Sequence, residues 1–484
     1  MSGPSAPPLP ATLPSHRSLI GSSAIFALGN GLSRVVSYVM PPALAAWLAP
    51  DEMGTIAVLT VFAIMLRTVL GLGVTTSAGA LYFRSQDQGD RNAVIATSAV
   101  LIAAGGVLGT LLCLGFGASI GPRVVDGSHA SGLMALAFGG VALQLLAQPF
   151  TMALQFQQRP GLHLAVTAAT AAAGVILALV FVAALGRGAR GWLEAAALSA
   201  ALGVALAAFA ADTKARHWAP SVARDLIRIG WPFVPGAAFM AVVQGAGPFI
   251  LARMEGITSA GVYNAGYSFG MLMSLATTGF GAAWFPLFQS YASRQDEAPA
   301  AFARVLSWSI AGFGAGTILF YAGAPAAGLL LGDERYASAT RVVGDVALVQ
   351  ALIGIWGILV PILYFREKIA WASAVQGVAA VVTIAATIVL VPLRGLDGAS
   401  LGAVAGAMAM IVVQLVVNAR MASPVGRFAG WGHALSGLAM LVMFIAIRSV
   451  APSMAPLPSL MLGIAMAMMA FMLSTVLSRR ARLL

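Results

Sequence analysis

One cysteine, Cys113, in a chain of 484 residues leaves no partner for an intrachain disulfide and no thiolate set for a metal. Charge is scarce as well. Charged residues make up 9% of the chain and only 16 are acidic. No polar stretch runs beyond about twenty residues, so there is no room for a large soluble domain. Also missing are a Walker glycine loop, metal-type His/Cys spacing and any plausible nucleophile–base triad, and the five histidines fall mostly in loops. ATP-driven transport within this chain and hydrolytic chemistry are therefore disfavoured. No enzyme activity, cofactor or metal is expected.

What fills the chain is apolar. Sixty percent of the residues are hydrophobic and the mean hydropathy is +0.90, a balance that would make a soluble domain of this length aggregate. The expected fold class is an all-α polytopic membrane protein. Residues 1–17 are rich in Pro and Ser and lack a basic start before an apolar core, so they read as a disordered tail and not as a cleaved signal. Apolar runs long enough to cross a bilayer fall near 19–48, 54–83, 92–121, 131–155, 161–186 and 191–212. A basic connector, Lys214 to Arg228, separates these from runs near 230–252, 259–290, 302–331, 342–364, 369–393 and 396–419. A last pair lies near 431–450 and 457–478, which brings the count to 14.

The basic residues test the topology. With the N-terminus inside, the inner loops and both tails hold 17 Lys and Arg against 8 on the other side. Arg34 and Arg67, inside the membrane, complete the 27. This bias predicts both termini on the cytoplasmic side. It also accounts for most of the +11 net charge without a nucleic-acid partner. The division expected is a tail at 1–17, a six-span lobe at 18–213, a second at 214–425, and a final pair with a basic tail at 426–484. A trace of repetition supports two parallel repeats around a central cavity. Ala46–Ile56 ends one helix, turns on acidic residues and restarts at a glycine, and Ala252–Tyr263 does the same at the start of the second half.

Two cations stand out. Arg34 and Arg67 each sit within an apolar run with no acidic residue one turn away. A central Arg costs about 2.5–3.5 kcal/mol to insert, so each is a candidate for binding an anionic group. The rise per residue expects them at similar depth, near the midplane; a second expectation is that both face one cavity. Asn30 lies one turn from Arg34. Gln144 and Gln148 share a face of span 4 with Gln155, and Gln244 and Gln350 lie in spans 7 and 10. Buried amides need partners, so these are either cavity residues or bonds between helices. Asp345 could couple an ion, although a salt bridge to Arg341 one turn earlier is the simpler expectation. Trp47, Trp192, Trp231, Trp371 and Trp431 fall near span ends, as an interface belt would.

Several motifs resemble the polysaccharide-transporter branch of the multidrug/oligosaccharidyl-lipid/polysaccharide (MOP) exporter superfamily, which includes O-antigen flippases. They are Gly31-Leu32-Ser33-Arg34, the turn Leu48-Ala49-Pro50-Asp51-Glu52-Met53-Gly54, Gly261-Val262-Tyr263-Asn264, and Trp284-Phe285-Pro286. Span 7 departs from the pattern, with Gly247-Pro248 where relatives carry an acidic residue. The resemblance implies 14 helices in two six-helix lobes plus two. It also implies flipping of an undecaprenyl-pyrophosphate-linked oligosaccharide across a bacterial inner membrane for surface polysaccharide synthesis. The partners implied are that lipid-linked oligosaccharide, membrane lipids and a polysaccharide polymerase. Arg34 and Arg67 would hold the pyrophosphate, with Asn30, Gln144, Gln148 and Gln244 around the substrate. Two other readings stay open. A proton- or sodium-coupled multidrug extruder would want buried carboxylates, which the first six spans lack. A non-transporting scaffold of a glycan assembly complex would pack both arginines against backbone carbonyls.

Overall fold

The computed structural model describes residues 16–85, 87–124, 130–211, 218–292, 294–421 and 428–480, with side chains outside description also at 16–28, 30, 117–124, 130, 369 and 478–480. Every element among the described residues is helical. In the first half these are α1 (His16–Ala43), α2 (Pro50–Leu70), α3 (Val74–Arg84), α4 (Gln88–Val124), α5 (Ala130–Phe156), α6 (Pro160–Ala178), extended by a π turn over Leu179–Ala184, and α7 (Gly188–Ala211). A short connecting helix, α8 (Pro220–Gly230), leads to α9 (Val234–Met254), α10 (Ile257–Gly270), α11 (Met273–Gln289), α12 (Ala298–Leu331) and α13 (Thr340–Leu359). The chain closes with α14 (Pro361–Phe365), α15 (Ile369–Arg394), α16 (Leu396–Arg420), α17 (Trp431–Val450) and α18 (Pro456–Arg480). Twelve of the described helical stretches are long and apolar enough to cross a membrane, and the bent pair α10–α11 makes thirteen. Helix α1 adds 28 residues, roughly 42 Å of rise.

The two halves pack by one scheme. In the first, α1 lies on α6, α6 on α7, α7 on α5, α5 on α4, and α2 on α5. In the second, α9 lies on α15, α15 on α16, α16 on α13, α13 on α12, and α10 on α13. Glycines permit the closest of these contacts. Gly398, Gly402 and Gly406 lay one face of α16 onto Leu390, Thr387 and Thr383 of α15, with no room for a Cβ. The halves meet where α2 crosses α10. A Cβ on Gly54 would run into the Ile257 carbonyl, and one on Gly261 into the Pro50 carbonyl. Each glycine thus meets the residue four before the other, the reciprocal contact that a pseudo-twofold axis produces. The two turns singled out in the sequence are therefore in contact.

The start of α2 follows from its residues: Pro50 opens the first turn, Asp51 and Glu52 suit the positive helix end, and Glu52 Oε2 accepts from the Ala49 amide at 3.0 Å. Its end differs from the single span expected over 54–83. The helix stops at Leu70, Leu72 and Gly73 take left-handed angles (φ 51° and 68°), and α3 starts anew. The break persists because Gly73 lies backbone to backbone against Gly230 of α8, where a side chain has no space. The α10–α11 pair bends by 44°, beside Gly270 pressed on the Val343 carbonyl. Helices α17 and α18 pack on α12 and on each other. Cys113 is buried in the core. Trp47, Trp231, Trp371 and Trp431 are exposed, whereas Trp192 is half-buried.

Candidate functional site

Between the halves lies a cavity of about 760 Å³, walled by α1, α2, α5, α6 and α7 from one side and α9 and α10 from the other. Apolar residues form most of its surface. Its polar groups are Ser37, Tyr38, Thr60, Thr68, Gln144, Ser199, Gln244, Asn264, Tyr267 and Ser268, with the Trp192 indole, which thus belongs to the wall and not to an interface belt. Among these described lining residues one side chain is charged, Arg67, and none is a carboxylate.

Arg67 occupies the last turn of α2, just before the break at Gly71–Gly73, and not mid-helix as the sequence had suggested. That position explains how an unpaired cation is tolerated, since the final carbonyls of a helix form its negative pole. Among the described residues the Arg67 side chain forms no hydrogen bond or ion pair, so its guanidinium donors remain available to the cavity.

The sequence-derived candidates divide. Arg67, Gln144 and Gln244 line the one cavity. Arg34 is exposed, stands off that wall, and donates from Nη1 to Thr278 Oγ1 of α11 at 3.1 Å, a bond between the two halves. The arginines therefore do not share the cavity as expected. Helix α1 turns Ser37, Tyr38 and Pro41 to it and leaves Arg34 one turn away from Tyr38. Neither arginine bonds to a backbone carbonyl among the described residues, the arrangement the scaffold reading required. The Asn30 side chain lies outside the described residues. Gln148 is exposed and off the wall, and Gln155 is bonded to His163 Nε2 at 2.9 Å, a helix-to-helix contact between α5 and α6.

Asp345 is far from free. The expected partner Arg341 is exposed, and the carboxylate instead meets Arg448 of α17 through Nε at 2.9 Å and Nη2 at 3.0 Å. Tyr321 of α12 (2.7 Å) and Ser400 of α16 (2.6 Å) donate to the same oxygens. A buried carboxylate held by three side chains is structural glue across four helices, and its arginine comes from a span 103 residues away.

Asn264, Tyr267, Ser268 and Tyr38 are wall residues that the sequence reading did not nominate as site residues. The signal was present, because a polar residue repeated at i, i+3 and i+4 within an apolar helix must face something polar.

Residues 20–292, more than half of the chain, match the family described as polysaccharide biosynthesis protein. The chain belongs to this family. Its fold is that of MATE transporters of the MOP superfamily. An inward-facing multidrug resistance MATE transporter superposes with a TM-score of 0.62 at 15% identity, covering 87% of this chain and 96% of that one. The outward-facing form gives 0.61 at 16%, covering 89% and 96%, and a MATE bound to MaD3S gives 0.61 at 17%, covering 84% and 95%. A search of curated protein sequences finds no match. For this family member, then, the arrangement of helices is shared with MATE proteins while the sequence has drifted far from theirs.

Proposed function

We propose that this protein flips a lipid-linked oligosaccharide, carried on a polyprenyl pyrophosphate, from the cytoplasmic to the periplasmic leaflet of a bacterial inner membrane. The observation that carries the reading is the wall of the cavity: among the described residues, Arg67 with no side-chain partner, amides and hydroxyls around it, and no carboxylate. A guanidinium binds phosphate oxygens through two parallel bonds, and hydroxyls and amides suit a glycan. The prenyl tail can stay in the lipid. Arg34 supplies a second cation when it exchanges its bond to Thr278 for a phosphate oxygen. Export moves negative charge outward, which an inside-negative potential favours by about 2.3 kcal/mol per charge per 100 mV. In this reading the α2–α10 crossing closes the outer end, and the lobes at 18–213 and 214–425 rock about it to alternate access. Membership in a polysaccharide biosynthesis family supports the substrate class.

The test is genetic and direct. Arg67→Ala and Arg34→Ala are expected to reach the membrane and abolish surface polysaccharide, and Lys at either position to restore part of it, since it keeps charge and loses the fork. Wild-type polysaccharide in both alanine variants rejects the pyrophosphate role. A second reading, an ion-coupled multidrug extruder, draws on the fold shared with the multidrug resistance MATE transporter. Organic cations would meet a cation and no counter-charge here, so unchanged polysaccharide with altered drug resistance in Arg67→Ala is the outcome that favours it.

A further inference from the structure

Gln350 sits behind the cavity wall, buried in α13, with its side-chain nitrogen between two groups: Met271 Sδ at 3.1 Å and Gln244 Oε1 at 3.3 Å. The thioether fixes the chemistry. A sulfur of this kind has no hydrogen to give, so the end of the Gln350 amide that faces Met271 is its NH2. The same NH2 meets Gln244, which must therefore turn its carbonyl inward. Its own NH2 is then what remains for the cavity that Gln244 lines. An amide that could have presented either end is held as a donor.

Its position matters too. Gly245 packs on Val61 of α2, and Val61 lies six residues from Arg67, about 9 Å along the helix. The backbone beside Gln244 thus lies about 9 Å along α2 from Arg67, a spacing that suits the sugar bonded directly to a phosphate held there. We propose that Gln244, oriented by Gln350, is a specificity residue that selects a first sugar bearing an acceptor oxygen with no hydrogen of its own, a carbonyl or a carboxylate. A hydroxyl can also accept, but it gains less, because it must turn its hydrogen away from a fixed donor. The assignment rests on the pyrophosphate reading of Arg67 and adds to it the chemistry of the adjoining sugar. Gln350 is a positioning residue: it does not line the cavity and acts through Gln244.

The test uses the purified full-length protein and four short-chain prenyl probes. One is a bare prenyl pyrophosphate. The others carry N-acetylglucosamine, glucuronic acid or glucose on the same pyrophosphate. The wild type is expected to bind one of the acceptor-bearing sugars about tenfold more tightly than glucose, the scale of one well-placed hydrogen bond. Which of the two wins identifies the acceptor as carbonyl or carboxylate. Gln244→Leu should level that ratio. Gln350→Leu should reduce the ratio without levelling it, since Gln244 survives unanchored, and Gln350→Asn should recover less than the wild-type ratio. Equal binding of all three sugars by the wild type, or a ratio that survives Gln244→Leu, overturns the assignment while leaving the role of Arg67 intact. Failure of the bare pyrophosphate to bind, or binding unaltered by Arg67→Ala, overturns the underlying reading and this inference with it.

Discussion

Arg67 and Asp345 show how differently two intramembrane charges can be housed. Arg67 faces a cavity with its side-chain donors unengaged among the described residues; Asp345 is 1% exposed and engaged by Arg448, Tyr321 and Ser400. Their variants should therefore differ. Arg67→Ala removes a cation whose side chain bonds to no other described residue, so melting temperature should stay near wild type while, on the proposed function, surface polysaccharide is lost. Arg448→Met strands a carboxylate in the interior, which costs about 3–5 kcal/mol. Thermal unfolding in detergent should register that loss, and adding Asp345→Asn should restore most of it because the stranded charge is gone. A melting temperature equal to wild type in Arg448→Met would show that the ion pair carries no such weight. At the exposed turn before α13, Arg335 beside Asp333 holds the Asp333 carboxyl below the usual carboxylate range, through bonds of 2.9 Å from its amide and 2.7 Å from Nε. A depressed value means that the link stands above the ordinary pKa of about 3.9 and is lost only as pH falls through the lower one.

Among the elements, α2 bears the most on the proposed function. Its first turns cross α10 at Gly54 and Gly261, and its last turn presents Arg67 immediately before the Gly73–Gly230 contact with α8. Gly54→Leu should force this crossing apart, with an overpacking cost of about 1–3 kcal/mol. Labelling of a cysteine placed at Ser37 by a membrane-impermeant thiol reagent, added from the side of the α1–α2 turn, should then rise above its rate in the unaltered background. The background is favourable because the native Cys113 is buried. An unchanged labelling rate would mean that the glycine crossing does not close that end. Gly73→Ala meets both a positive φ and the Gly230 backbone, so it should destabilise by more than the roughly 1 kcal/mol that the backbone angle alone costs.

For the molecule as a whole, the pairing of Arg448 with the buried Asp345 implies that α17 and α18 are not an optional appendage. They pack along α12, and α17 supplies the guanidinium that neutralises a carboxylate of the second half. A chain ending at Arg420 should fail to accumulate in the membrane, and the same truncation carrying Asp345→Asn should accumulate better, as read by membrane-fraction yield. Equal accumulation of the two truncated chains would refute the neutralising role of α17.

Sequence by itself determined the class of molecule and much of its layout. Long apolar runs must satisfy their backbone internally, so they must be helices, and turns of Pro, acidic residues and Gly mark where they begin. It also flagged Arg67, Gln144 and Gln244, because polar groups in apolar helices stand out against their neighbours whatever the packing. Contacts between distant segments were decided by tertiary structure alone. Nothing local joins Asp345 to Arg448, Arg34 to Thr278 or Gln350 to Gln244, and the break in α2 is held by a glycine of another helix. Whether an intramembrane polar residue faces a cavity or a partner depends on which helix lies across from it, and helical periodicity defines a face without naming its neighbour.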